Sequence, residues 1–565
     1  MTLRHRIADL ITKGTHRAQK KGALPKFDLP EVAVELPRQP DWGDYAWPGA
    51  LPLARVARMA PVKIAEAILA HLPENDFIAR TEIAHPGFLN FTLDDGWVTQ
   101  QVQTILTAGD RFGNVDIGRG RRVQVEFVSA NPTGPLTMGS GRNAVLGDGL
   151  ASVLDAAGYA VHREYYINDA GTQMRLFGET LFARYAQALG RDEPLPEDGY
   201  RGQYMNQLGR EVAGSAGDRF LEMPRGQAIT ALTDIGLERM VASIREDLSL
   251  IGIGFDNWFS ESSIYAGELF GQVMTLLRGK GHLEEIDGAV WFTAQALGGD
   301  KNEVVIRSDG SPGYFASDIA YHYDKFIRRG FDWVIDVWGA DHQGHVPRMK
   351  MMMNALGLDP EQLTLIIYQL VTLRRGGEIV RLSKRTGDII TLREVVEEIG
   401  ADALRFFLLA RSANSQMDLD LDLAKEQSDD NPVYYVQYAH ARIASILRYA
   451  SEQAGLGGVS VTSIAESPGD VSLLTHPAEQ ALLRQMIRLP EVVEHAAVNL
   501  SPHHLTYYAQ ELARSFHSFY KQCRVVSSEP EAQPLNFARL KLVAAAKTVL
   551  ARTLHLMGMT TPERM

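Results

Sequence analysis

The stretch VEFVSANPTGPLTMGSGRNAVLGDGLASVL, residues 125–154, restricts what this chain can fold into more than any other. An apolar, β-rich run (Val123 to Val128) feeds a loop of Asn, Pro, Thr and Gly. Ala144, Val145, Leu146, Leu150 and Leu154 then recur at helical spacing. Strand, Gly-rich turn and helix start in that order form a corner suited to phosphate. The helix's first amides have no intrahelical partner, and small residues let an anion approach them. Thr137 and Ser140 stand at the lip of this corner.

The flanking pattern extends the corner into a domain. From about 120 to 420, strand-like runs alternate with helices, clearest in HREYYIND, WVIDVWGAD and LIIYQLVTL. That alternation predicts an α/β fold, a Rossmann-like parallel sheet with crossover helices. A more polar helical stretch at about 175–285 reads as an insertion. Before it, residues 1–115 combine an amphipathic helix, a Pro-rich middle and the strand-like HPGFLNFTL, an α+β unit. Beyond it, residues 421–565 read as an all-α bundle, with PVYYVQYAHARIASILRYA and HHLTYYAQELARSFHSFYKQ as long amphipathic segments. A Gly/Ser-rich break at Gly455 to Pro468 separates two of its helices.

Composition excludes several classes. With 45% hydrophobic and 22% charged residues, and no apolar run near the ~18 residues a span needs, a membrane protein is not expected. The charged start lacks the apolar core of a secretion signal, so a cytoplasmic location is expected. Cys523 is the single cysteine, which rules out an internal disulfide and any multi-cysteine zinc site. Net charge is −12, yet seven Lys and Arg face one acid between Met1 and Lys26, a patch that suits phosphate or a solvated helix face equally.

A second element lies in IVRLSKRTGDIITL, where Arg381, Lys384 and Arg385 cluster with Ser383. Cations on a loop suit the negative charge of a transferring phosphoryl or nucleotidyl group. The corner and this loop together resemble the two signature motifs of class I aminoacyl-tRNA synthetases. YYINDAGTQM, FDNWFSESSIY, GYFASDIAYHYDKF, WGADHQGHVPRMK, GADALRFFLLARS and DLDLAKEQSDDNPVYYVQYAHARI resemble blocks of the arginyl-tRNA synthetase family in family order, down to TPERM at 561–565. In the family's first motif, histidines occupy the positions of Thr137 and Ser140, a departure that removes two chargeable groups.

The resemblance implies ATP-dependent activation of L-arginine and its transfer to tRNA(Arg), with Mg²⁺ accompanying ATP and no protein-bound zinc. Residues 1–115 would hold the tRNA elbow, 116–420 would be catalytic, and 421–565 would read the anticodon. Thr137, Ser140, Lys384 and Arg385 would act on the reacting phosphate, with Arg142 and Arg381 adding positive charge. Gly134, Gly139, Gly141, Gly339, Asp341, His342 and Ser383 would line the ATP site. Glu126 and Asn131 would hold the ammonium and carboxylate end of arginine. Glu261 and Asp318 would take the guanidinium, and Tyr314 would pack on its plane. Phe88, Asn90, Tyr435, Tyr438 and Met565 would touch tRNA. A monomer is expected. The alternative is a synthetase-like protein that binds arginine or tRNA in a regulatory role after losing the motif histidines. A synthetase for another amino acid fits the paired acids less well.

Overall fold

An antiparallel sheet opens the chain. Helix α1 (Leu3–Lys20) precedes β1 (Tyr45–Trp47), α2 (Ala50–Ala57) and α3 (Pro61–Leu69); β2 (Ile78–Ala84) and β3 (Phe88–Leu93) follow, then α4 (Asp95–Ala108). The strand order is β1-β3-β2, with Asn90 on the central strand opposite Ala46 and Glu82. This is a computed structural model; it describes residues 1–298, 301–380, 390–453, 464, 469–527 and 529–565, and only the backbone of Pro40, Tyr314, Gln453 and Pro530.

The second part is built on β4 (Arg122–Glu126), α5 (Met138–Ala156) and β5 (Ala160–Ile167). Helix α5 is buried nearly all round, as its apolar and small residues require, and a Cβ on Gly147 would stand 2.2 Å from the Phe127 ring. After β5 come α6 (Thr172–Ala188), α7 (Gln203–Ala216) and α8 (Arg225–Leu250), whose core of Phe177, Leu181, Tyr185, Met205, Leu208 and Leu232 is separate from the rest. The chain then returns to the central sheet as β6 (Asn257–Ser260).

The helical insertion expected at about 175–285 is therefore two excursions, because β6 falls inside that range. The first is α6–α8. The second, after α9 (Ser262–Ala266) and α10 (Leu269–Gly279), is an antiparallel sheet of β7 (Leu283–Ile286), β8 (Ala289–Phe292) and β9 (Glu303–Ile306). Strands of four residues give too short a period to stand out in sequence.

Helix α11 (Tyr314–Tyr323) runs into a π-turn at Asp324–Arg328, followed by β10 (Trp333–Gly339), α12 (Val346–Leu356) and β11 (Leu363–Tyr368). The central sheet has the order β11-β10-β4-β5-β6 and all its pairings are parallel. The direction of strand addition reverses between β4 and β10, so a crevice opens outside the carboxyl ends of these two strands. A smaller sheet joins β12 (Val371–Arg375), β13 (Glu378–Ile379) and β14 (Met417–Asp420). The LIIYQLVTL run thus divides between two sheets.

Helices α13 (Leu392–Ile399), α14 (Ala401–Leu409), α15 (Leu421–Lys425) and α16 (Pro432–Gln453) lead to four more at Pro477–Met486, Leu489–Val498, His504–Gln522 and Gln533–Leu556. Apart from Ile464, the Gly/Ser-rich break lies outside the described residues, bordered on its far side by Gly469 and Asp470. The N-terminal unit docks on these helices. Arg4 pairs with Glu491 at 3.2 Å, the Tyr45 hydroxyl donates to Glu491 at 2.9 Å, and Arg484 reaches Asp44 at 2.9 Å and Asp95 at 2.6 Å. Among the described residues, no helix is long and apolar enough to cross a membrane.

Candidate active site

The crevice between β4 and β10 receives the start of α5, as the sequence corner requires. Thr137 is the N-cap of α5, extended at φ −96° and ψ 172°, and its side chain does not cap the helix. Neither the Thr137 nor the Ser140 hydroxyl has a hydrogen-bond partner among the described residues, so both stay available at the lip. The nearest atom to a Cβ placed on Gly139 is Thr137 Oγ1 at 3.6 Å, which leaves the first-turn amides open. Gly141 instead lies under Leu392, and Gly134 packs against the Tyr204 hydroxyl, which donates to the Thr133 carbonyl at 2.7 Å.

Arg142 does not face the phosphate corner. Its guanidinium is buried and donates to the carbonyls of Gln369 at 2.5 Å, Ser412 at 3.0 Å and Ser415 at 2.8 Å. It clamps α5 to the ends of β11 and α14, so the cationic role expected of it is not available. Arg381, Ser383, Lys384 and Arg385 lie outside the described residues. The chain resumes beside the corner: Thr391 forms an antiparallel bridge with Thr137, and the Leu392 amide donates to the Leu136 carbonyl at 2.8 Å.

The turn leaving β4 is strained. Val128 and Ser129 adopt φ of 66° and 40°, which a β-branched residue such as valine rarely does. Asn143 holds the turn, accepting from the Val128 amide at 2.7 Å and donating to the Val337 carbonyl at 2.9 Å. It thereby ties the ends of β4 and β10 together across the crevice. The Ser129 hydroxyl donates to Glu126 at 3.0 Å.

Below this turn lies a buried ionic network. Lys325, fully buried, places its ammonium 2.6 Å from Glu126 and 2.9 Å from Asp336. His322 Nε2 is 3.0 Å from Asp336, and its Nδ1 is 2.8 Å from the Asp318 carbonyl. Arg329 grips Glu164 with two contacts of 2.5 and 2.9 Å, and Tyr321 donates to the same carboxylate at 2.5 Å. Burial works against the Lys325 charge, but Asp336, Glu126 and Glu164 outweigh it and hold the ammonium above its usual value. Burial also opposes ionisation of Asp336 and Glu164; Lys325 with His322, and His162 with Arg329, win and pull these carboxyls below the usual range. At Glu126 burial dominates, and its carboxyl stays raised despite Lys325.

Two acids at the rim are less well matched. Burial raises the Glu261 carboxyl, hydrogen bonds from Ser317 and Tyr166 oppose this, and the Asp318 charge adds to it. Burial likewise raises Asp318, with His322 and then Arg348 acting against it; the Arg348 guanidinium is 3.8 Å away. Tyr166 is pushed well up by burial and then by the charges of Glu261, Asp318 and Glu126, so all three carboxylates bear on one ring. Two raised carboxyls beside an aromatic wall form a site suited to a cationic ligand.

The remaining residues singled out from sequence are spread more widely. The charges of Glu126, Glu261 and Asp318 all act on the Tyr166 hydroxyl, which hydrogen-bonds Glu261. Tyr314 begins α11, and its side chain is not described. Asn131 is exposed and accepts from Asn168 at 3.3 Å. Gly339 ends β10; Asp341 and His342 follow it, exposed and 3.4 Å apart. Phe88 and Asn90 lie on β3, where Asn90 is only 6% exposed. Tyr435 and Tyr438 pack on His517 with ring centroids at 4.8 and 5.9 Å, and Met565 is 55% exposed. Lys325, Arg329, Asp336, Glu164, His322, Asn143 and Tyr166 were not anticipated. Part of the network was visible: Asp318, His322, Lys325 and Arg329 follow one another at steps of four, three and four, a single helical face.

Three family models match consecutive pieces of the chain: Arginyl tRNA synthetase N terminal domain over residues 2–93, tRNA synthetases class I (R), catalytic domain over 101–420, and DALR anticodon binding domain over 436–565. The chain belongs to the arginyl-tRNA synthetase family. The arginine–tRNA ligase of Dehalococcoides mccartyi strain CBDB1 is 52% identical over 100% of this chain and 99% of its own. That of Heliobacterium modesticaldum is 47% identical, again over 100% and 99%. The Thermus thermophilus arginyl-tRNA synthetase shares the fold, with a TM-score of 0.75 at 23% identity and full coverage of both chains. Full-length identity to ligases of this family favours an arginine–tRNA ligase over a binding-only relative.

Proposed function

We propose that this arginyl-tRNA synthetase activates L-arginine with ATP and transfers it to tRNA(Arg), releasing AMP and diphosphate. The observation that supports the substrate assignment is that the charges of Glu126, Glu261 and Asp318 all act on the Tyr166 hydroxyl, with Glu261 hydrogen-bonded to it. Arginine has two cationic ends. Glu261 and Asp318 take the planar guanidinium, whose paired donors match carboxylate oxygens, with Tyr314 packing on its plane. Glu126 faces the α-ammonium, and Asn131 steadies that end.

ATP, carried with Mg²⁺, lies along the switch-point crevice, its phosphates toward the α5 amides with Gly134, Gly139 and Gly141, and its nucleoside toward Gly339, Asp341 and His342. The arginine carboxylate attacks the α-phosphorus, forming arginyl-adenylate as diphosphate leaves. Thr137 and Ser140 donate neutral hydrogen bonds where the family has imidazoles. Replacing a charge-assisted bond by a neutral one costs about 1–2 kcal/mol each. Lys384 and Arg385, with Ser383, supply the positive charge toward the departing diphosphate. The division into 1–115, 116–420 and 421–565 assigns the tRNA elbow to Phe88 and Asn90 and the anticodon loop to Tyr435, Tyr438 and Met565. No metal held by the protein enters this reaction, and the working unit is a monomer in the cytoplasm.

The test is aminoacylation of tRNA(Arg) by the purified chain with ATP and labelled arginine. Wild type charges the tRNA, and Asp318→Ala raises the arginine KM about a hundredfold, as expected when a buried guanidinium loses its partner. Unchanged arginine KM in both Asp318→Ala and Glu261→Ala removes the pocket assignment.

A further inference from the structure

Three carboxylates stand abreast at the carboxyl edge of the central sheet. Glu126 on β4 is in register with Glu164 on β5 and with Asp336 on β10. Like charges side by side on neighbouring strands repel, and all three residues are buried. Two cations answer them, and both come from one short piece of chain. Lys325 lies between Glu126 and Asp336, and Arg329 holds Glu164. The π-turn delivers both, with the Arg329 amide donating to the Asp324 carbonyl five residues back at 2.9 Å. Such turns are frequent at functional sites.

The two carboxylates that share Lys325 depend on it unequally. Asp336 also has His322 at 3.0 Å. Among the described residues, Glu126 has besides Lys325 only the Ser129 hydroxyl at 3.0 Å as a side-chain partner. We propose that Lys325 is a positioning residue for the amino acid substrate: by fixing the Glu126 carboxylate at the crevice, it sets the affinity of the enzyme for arginine. This rests on the reading that Glu126 faces the α-ammonium of arginine.

Every element packed on Glu126 contributes to its charge balance. β10 brings Asp336, β5 brings Glu164 and Tyr166, α11 brings Tyr321, and the π-turn brings Lys325. Lys325 is the cation in contact with Glu126, at 2.6 Å; Arg329 is engaged by Glu164, and His322 on α11 by Asp336. Without Lys325, burial and two neighbouring acids act on Glu126 together. Its carboxyl, already raised, moves further up, which favours the protonated form. A protonated Glu126 does not hold an ammonium group, so arginine affinity then returns as the pH is raised.

The experiment measures arginine KM and kcat in charging of tRNA(Arg) at saturating ATP, from pH 6.5 to 9, for wild type, Lys325→Met, Glu126→Gln and the double variant. The expected Lys325→Met result is an arginine KM at least tenfold higher at pH 7, kcat within threefold, and a KM that recovers toward wild type at pH 9. Glu126→Gln raises KM at every pH, and adding Lys325→Met to it brings no further rise. A Lys325→Met loss that is independent of pH, falls on kcat alone, or multiplies with that of Glu126→Gln overturns the proposal. An unchanged KM in Glu126→Gln overturns the underlying placement of arginine instead. If Lys325→Met does not fold, Lys325→Gln still donates to Glu126 without bringing charge. The double variant also removes both members of the buried pair together, the change such pairs tolerate best. Wild-type arginine KM for Lys325→Gln at pH 7 overturns the proposal as well.

Discussion

At the scale of single residues, the proposed placement of arginine on the raised carboxyls of Glu261 and Asp318 predicts binding that depends on pH. Both free acids retain protons at pH values where an ordinary carboxyl has lost them, while a bound guanidinium favours the ionised form. The guanidinium itself stays charged throughout. Arginine affinity therefore falls as the pH drops through the raised values, by up to about tenfold per pH unit for each proton displaced. Calorimetric titrations between pH 4.5 and 8 in two buffers of different ionisation enthalpy should register proton release on binding toward the acidic end; zero release throughout, with constant affinity, sinks the assignment. These two acids were legible because each sits in a recognisable block, FDNWFSESSIY or GYFASDIAYHYDKF. Glu164 and Asp336 were not, since register across three strands is a property of the assembled sheet and leaves no local spacing to read. Arg142 misled for a related reason. A cation one turn into a phosphate-binding helix looks outward in sequence, yet in the fold it satisfies backbone carbonyls on segments more than 200 residues away.

At the scale of elements, the start of α13 is tied to the first motif. Thr391 is its N-cap, with a capping box in which Thr391 and Glu394 satisfy each other's backbone amides. The T-x-x-E spacing is plain in the sequence, whereas the bridge from Thr391 to Thr137 is not. Thr391→Ala should cost about 1 kcal/mol of stability, read as a lower urea midpoint at unchanged slope. Because the bridge is a backbone contact, kcat should fall less than it would for a change in Lys384; a midpoint equal to wild type shows that the cap contributes nothing. The α/β alternation was readable over most of 120–420 because β10 (WVIDVWG) and β11 (LTLIIY) are rich in apolar and β-branched or aromatic residues and helical periods separate the strands. Strand β6, with four residues, was hidden inside what looked like one helical insertion. LIIYQLVTL looked like one strand because nothing in its composition marks Gln369 and Leu370 as the point where it leaves one sheet for another.

At the scale of the whole molecule, the N-terminal unit closes back onto the C-terminal helices. A cavity of about 280 Å³ remains in that contact, lined by Arg4, Arg488, Glu491, His495, His504 and Glu511 among others. Burial and neighbouring histidines hold His503 down at about 4; burial and His495 lower His504, and burial and Arg4 lower His495. An unfolded chain protonates these rings near 6.5, so the folded state binds fewer protons in the window between the two values. Stability from this cluster is complete above about pH 6.5 and declines as the pH falls toward 4. A His503→Asn, His504→Asn variant should lose less melting temperature than wild type between pH 7 and 5; equal losses rule the cluster out as the cause. The same docking has a consequence for the order of events during synthesis. Arg4 and Glu491 are 487 residues apart in the chain. At translation rates of roughly 5–20 residues per second, α1 leaves the ribosome about 25–100 s before the helix that carries Glu491. For that interval the docking face of the N-terminal unit, with Arg4, Asp44 and Tyr45, stands uncovered. Cellular yield should therefore respond to chaperone supply more strongly than the stability of the finished enzyme would suggest.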